Sequence, residues 1–175
     1  MKITFLALFL SFSVHAASPS VKIYVTLSPA GDFVAETEAV SGNAVVNEAG
    51  GVEASNIKVA VKTLKTGINL RDQHLINKYL EADKYPDVIL KIGKGAGGKG
   101  EAILVVKGKE GKVSGTYGTN ANFLKAEFTL KLSDFGIIDV SYKGVGVEEE
   151  IKVVAIVPLV KKASAAKPAP AKMKK

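Results

Sequence analysis

The chain of 175 residues contains no cysteine, no tryptophan and only two histidines. Without cysteine there is no disulfide framework, thiolate zinc site, iron–sulfur cluster, cysteine nucleophile or lipid-modified cysteine. His15 and His74 are the only imidazoles, so histidine-rich metal sites are excluded as well. Aromatics are scarce: of seven Phe and five Tyr, nine in all lie beyond residue 16. Sugar clefts and single-stranded nucleic-acid grooves depend on stacking platforms, which such a chain hardly supplies. Nor does any apolar run reach the ~20 residues of a spanning helix. What is present is 47% apolar residues, enough length to bury one core without covalent staples, and a formal charge of +7.

The two ends account for that charge. Met1-Lys2, an apolar run from Ile3 to Val14 and the small residues of Val14-His15-Ala16-Ala17 make a secretory signal peptide, with cleavage expected after Ala16. The mature protein is therefore expected outside the cytoplasm, in the periplasm or secreted. Residues 161–175 carry six lysines, two prolines and no acid, the composition of a disordered tail. It would serve either as a tether to an anionic membrane or cell-wall surface or as a solubilising segment. With Lys2 and these lysines set aside, 17 basic residues meet 17 acids, so the body is formally neutral and makes a poor case for nucleic acid.

Residues 17–160 read as short runs of period two. Val21, Ile23, Val25 and Leu27 share one face of their segment, and 57–62 and 124–132 alternate in the same way. Less clean runs at 33–39, 44–47, 87–92, 101–107, 112–119 and 151–157 bring the total to eight or nine strands, most of them separated by glycine-bearing turns. Strands with one apolar face each must close on themselves or stack, so a barrel or a sandwich is expected. Only residues 71–81 argue for helix: Leu75 with Tyr79 and Ile76 with Leu80 lie four apart, Asn69 is placed to cap, and Pro86 bars continuation.

Apparent motifs dissolve in context. Gly93 to Gly98 satisfies a phosphate-loop spacing, but a β-type run follows where a helix is required, and Gly100 stands where Ser or Thr is needed after Lys99. A hairpin loop is expected there. Glu148-Glu149-Glu150 is read as a solvated turn, since a hard cation wants oxygens converging from a shaped loop. His74 would have to carry any Ser-His-Asp chemistry, and no nucleophile elbow accompanies it.

Several longer segments are distinctive together. Leu64-Lys65-Thr66-Gly67-Ile68-Asn69-Leu70-Arg71-Asp72-Gln73-His74-Leu75 is followed by Tyr79-Leu80-Glu81-Ala82-Asp83-Lys84-Tyr85-Pro86, and later by Leu132-Ser133-Asp134-Phe135-Gly136-Ile137 and Val147-Glu148-Glu149-Glu150-Ile151. Over residues 20 to 160 the chain resembles the YceI-like polyisoprenoid-binding family. The resemblance implies an all-β, antiparallel, lipocalin-like β-barrel of about eight strands with one short helix, a periplasmic or secreted location, and an apolar tunnel for a polyisoprenoid tail such as that of a quinone, or another long-chain lipid. The short first hairpin, with Phe33 as its only Phe, and Lys107-Gly108-Lys109-Glu110-Gly111 in place of the usual turn depart from the family pattern. They bear on the length of the ligand and on whether a lumen exists at all.

Such a tunnel would draw on the apolar members of the alternating strands: Ile57, Val59, Val61, Val88, Leu90, Leu104, Leu124, Phe128, Leu130, Val153 and Ala155, with Leu75 and Phe135 closing an end. Plain core packing is the competing assignment for each. Small Ala102, Ala126 and Ala155 favour a cavity if they face inward. Arg71 and His74 could meet a head group at the rim, although Arg71-Asp72 could equally be a structural ion pair. The expected activity is non-enzymatic binding of a lipid as carrier or buffer, with no cofactor, no metal and a possible homodimer. The alternatives are an envelope interaction protein with a filled barrel and a cationic tail, and, more weakly, an enzyme acting through His74.

Overall fold

The computed structural model describes residues 18–161 apart from 30 and 143. The expected signal peptide and residues 162–175 of the expected tail lie outside the described residues. Lys161, assigned above to the tail, is the last paired residue of the final strand, opposite Val46.

The alternating runs become strands. β1 (Ser20–Ser28) and β2 (Asp32–Thr37) form a hairpin, followed by the short β3 (Val40–Ser41) and β4 (Ala44–Val46) and then by β5 (Val52–Ala60). A helical crossing comes next, and after it a meander of β6 (Asp87–Ala96), β7 (Lys99–Val106), β8 (Lys109–Thr119) and β9 (Phe123–Lys131). A 3-10 turn at Ser133–Phe135 leads to β10 (Ser141–Tyr142), β11 (Val145–Val147) and the long β12 (Glu150–Lys161).

β4, β5, β6, β7, β8, β9 and β12 are hydrogen-bonded in that order, and β12 closes the ring by pairing with both β9 and β4. The seam with β4 is parallel and only three residues long, from Leu159↔Ala44 to Lys161↔Val46. Lower on the same edge of β12, residues 152–156 pair with β1 instead, and β2 continues the wall beyond it. The free edge of β2 reaches the far side through Glu36↔Lys65, and β3 bridges to β5 at Val40↔Val59. The tube is therefore narrow at the β4 end and flared where the β1–β2 hairpin is wedged in. Closure leaves few open strand edges.

Several local expectations are corrected. The glycine-rich stretch is mostly strand: β6 continues to Ala96, and the turn is confined to Gly97-Gly98, both at positive φ (59° and 79°). Lys107-Gly108 (52° and 73°) makes the next hairpin, so β8 begins at Lys109 and takes in Gly111. Positive φ at both central residues is the geometry that matches strand twist in a two-residue turn. The strand expected at 57–62 starts earlier, at Val52, and stops at Ala60, where a 3-10 turn, Val61–Thr63, turns the chain across the barrel end. The helix expected at 71–81 is α1 (Asn69–Gln73) running into a π-helical turn, His74–Tyr79. Asn69 does not cap it: the N-cap is Ile68, without a side-chain bond, and Asn69 is the first helical residue.

Two packed clusters bound the interior. Ala44, Val52, Ile57, Leu124 and Val157 close the β4 end, where Val157↔Leu124 and Leu159↔Ala44 stand side by side. At the other end Val61, Leu64, Leu80, Ala82, Leu104, Val106, Val113, Phe135 and Ile137 gather under the helical segment.

Candidate functional site

Between the clusters lies a cavity of about 600 Å³, lined almost entirely by aliphatic and aromatic carbon. This is the size of an ordinary small-molecule site. Strand register explains its shape. On β9 and β12 the inward pairs Leu130↔Ile151, Phe128↔Val153, Ala126↔Ala155 and Leu124↔Val157 form four successive rungs, all of them lining it. Six residue steps along an antiparallel strand give a lumen roughly 20 Å long. The third rung pairs Ala126 with Ala155 on the same wall, and these two methyls leave room in the tube beside them. On the opposite wall Ile57↔Leu90 and Val59↔Val88 line it too, with Leu104 paired to Leu90. Several of these inward residues, Val88, Leu90, Phe128 and Leu130 among them, are only half-buried, as expected when nothing packs on their tips.

Every lumen and rim residue expected from sequence lies on this cavity: Ile57, Val59, Val61, Leu75, Val88, Leu90, Leu104, Leu124, Phe128, Leu130, Phe135, Val153 and Ala155, together with Arg71 and His74. Of the three small residues, Ala126 and Ala155 line it and Ala102 does not; Ala102 packs beside the helical-end cluster. The sequence reading missed the β1–β2 wall, Val21, Ile23, Val25, Leu27, Phe33 and Ala35, and the β10–β11 side, Val140, Ser141, Val145 and Val147. The alternation of β1 was a usable signal for the first group. The second group has none, because residues 137–147 show no clean period.

The opening is marked by residues that line the cavity and yet meet solvent: Ile68 (53% exposed) and Leu70 (49%) at the start of α1, facing Ser141 and Val145. Tyr79 Oη donates to the Ser141 carbonyl at 3.1 Å, tying the helical segment to this rim.

The polar groups of the mouth are organised around Asp72, which is buried at 6% exposure. It accepts from Thr66 N at 2.7 Å and from Thr66 Oγ1 at 2.6 Å, and Lys65 Nζ stands 3.8 Å away. The Thr66 hydroxyl, before any other group, holds the Asp72 carboxyl below the usual carboxylate range; burial opposes this, and Lys65 and Arg71 assist. The alternative of an Arg71–Asp72 ion pair is thereby corrected. Arg71 lies 4.1 Å above the centre of the Phe33 ring and donates through Nη2 to the Thr66 carbonyl at 3.0 Å, while its buried Nε has no acceptor among the described residues. The Thr-Gly and Arg-Asp residues thus form one structural knot that leaves the guanidinium on the cavity wall. Glu148, Glu149 and Glu150 are exposed, and no cluster able to hold a metal ion occurs among the described residues.

A closed barrel, antiparallel except at the short β4–β12 seam, around one elongated apolar cavity and with a helical segment over its flared end, defines a lipocalin-like barrel. The chain belongs to the family of YceI-like domains, whose pattern matches residues 12–157. Among solved structures it is similar to BcnA of Burkholderia cenocepacia (16% identity, TM-score 0.59, covering 79% of this chain and 95% of that one). It is also similar to a polyisoprenoid binding domain from Saccharophagus degradans implicated in plant cell wall breakdown (11% identity, TM-score 0.56, 79% and 91% covered). A mutant CJ YceI protein with a monobromobimane guest matches at 16% identity and TM-score 0.53, covering 90% and 97%. No curated protein matches the chain.

Proposed function

We propose that the protein is a non-enzymatic lipid carrier or buffer that holds a polyisoprenoid, an isoprenoid quinone or another long-chain amphiphile in its barrel. The observation that carries this reading is the 600 Å³ apolar lumen, elongated along the strands and opening between Ile68, Leu70 and Val145. Burial of apolar ligand surface stabilises the complex by ~25 cal/mol per Å², before association costs are subtracted. A tube with so few directional groups suits a ligand that is mostly hydrocarbon. Membership of the YceI-like family and likeness to a polyisoprenoid binding domain support the same class of ligand. The lumen also weighs against a filled barrel acting only through its surface.

The proposal extends to export through residues 1–16 and to function in the periplasm, where the cationic residues 161–175 would hold the barrel near anionic envelope surfaces. Native mass spectrometry of protein purified from membrane-containing cells, with identification of the dissociating small molecule, tests the central claim. An extractable isoprenoid or fatty species is expected. Repeated recovery of empty protein that also ignores added quinones and fatty acids would refute it.

A further inference from the structure

We infer that the cavity selects amphiphiles with an anionic head group, a carboxylate or a phosphate, and that Arg71 makes the selection; this deepens, and rests on, the reading of the lumen as a lipid site. Among the described residues, Arg71 is the only Asp, Glu, Lys or Arg on the cavity wall. It has no carboxylate partner within 4.0 Å among the described residues, although an aspartate is its sequence neighbour. Asp72 takes both donors of Thr66, and its charge acts on Arg71 without a direct contact and on Lys65 at 3.8 Å, so two cations share one carboxylate in this corner.

The guanidinium is also held in place. Phe33 supports its face at 4.1 Å and the Thr66 carbonyl takes Nη2, so the group is fixed at two points. Nε–H is buried without a partner among the described residues and presents no surface to the cavity, so contact with a ligand falls to the Nη nitrogens. A fixed cation set beside an apolar space of low dielectric is one half of a charge-assisted pair. A hydrocarbon end would offer its Nη atoms neither an acceptor nor a counter-charge, and a neutral carbonyl only the acceptor. An anionic oxygen offers both, and its tail would then run down the rungs from Leu130 to Leu124.

The test uses delipidated whole protein and ligands sharing one tail: hexadecanoic acid, hexadecyl phosphate and hexadecanol, with an isoprenoid quinone alongside, each displacing an apolar fluorescent probe at about pH 8, where the carboxylic acid is ionised. The acid, the phosphate or both are expected to bind about tenfold more tightly than the alcohol, the increment of one charge-assisted hydrogen bond. Arg71→Gln is expected to bring the anions down to the alcohol's affinity, and Arg71→Lys to recover part of the preference. Phe33→Leu, which frees the guanidinium to swing into solvent, gives an independent variant should Arg71→Gln not fold, and is expected to weaken the preference. Equal affinity of acid, phosphate and alcohol for the unmodified protein would overturn the selection and leave lipid binding standing. Failure of all four ligands to bind would overturn the lumen reading itself.

Discussion

Asp72 stabilises the fold rather than touching a ligand. It satisfies the amide and hydroxyl of Thr66 in a buried corner, so Asp72→Ala leaves the amide unpaired and the hydroxyl only the Ile68 carbonyl at 3.4 Å. A loss of about 2–3 kcal/mol is expected from equilibrium urea unfolding. Glu127 is the other conspicuous carboxylate. Lys125 and Lys152, each at 2.8 Å, hold its pKa down to about 2, mainly through their hydrogen bonds. A depressed folded-state pKa contributes stability above the ordinary value of 4.5 and loses it as pH falls toward 2. Glu127→Gln is therefore expected to flatten the acid limb of stability against pH in that window, with a smaller difference in high salt because the triad is on the surface. Urea midpoints measured across the acid range check it.

Glycines and a bulge decide how the strands meet the end caps. Gly111 faces Leu104 across the β7–β8 ladder, and the Phe135 ring, 1% exposed, packs directly on it. A Cβ at this position would come within 2.5 Å of that ring. Gly111→Ala is expected to cost about 1–3 kcal/mol by forcing Phe135 off its seat, with loss of protection at residues 133–137 in hydrogen exchange. On β6, pairing with β7 passes from Leu90↔Leu104 to Ile92↔Ile103, so one extra residue is accommodated at Lys91. Strict alternation would bring Ile92 inside with Val88 and Leu90; the bulge instead leaves it 43% exposed and turns Gly93 inward. Nothing in the local pattern announces this, because a bulge is set by the twist that closure demands of the sheet.

For the molecule as a whole, the question is whether the interior is open or packed. The Ala126↔Ala155 rung lies one rung from the closed β4 end of the cavity, and Ala155→Phe would place a ring there. In a filled core such an insertion costs about 1–3 kcal/mol. In an open lumen it costs little, since it buries apolar area that was wet, and it obstructs the tube. Ala155→Phe is expected to keep or raise the unfolding temperature of empty protein while abolishing binding of long-tailed ligands. Scanning calorimetry together with the displacement assay separates the two cases.

Period two along the chain is enough to assign inward faces, because successive side chains in a strand alternate whatever their partners are. That local rule is why the inward residues of β5, β6, β7, β9 and β12 were legible; the segment carrying Arg71 and His74 was marked by the helical spacing of Leu75 with Tyr79 and Ile76 with Leu80 instead. The rule is silent on closure, on which strand lies beside which, and on whether facing side chains meet. The wedge of β1–β2 between β12 and the far wall, the contribution of residues 140–147 and the choice of Thr66 over Arg71 as the partner of Asp72 are contacts between residues distant in sequence or turned by local geometry. So is the cavity. An alternating strand packs equally well against a solid core or around a space, and only the summed volumes of the inward side chains around the ring, small at Ala126 and Ala155, decide that this barrel is hollow.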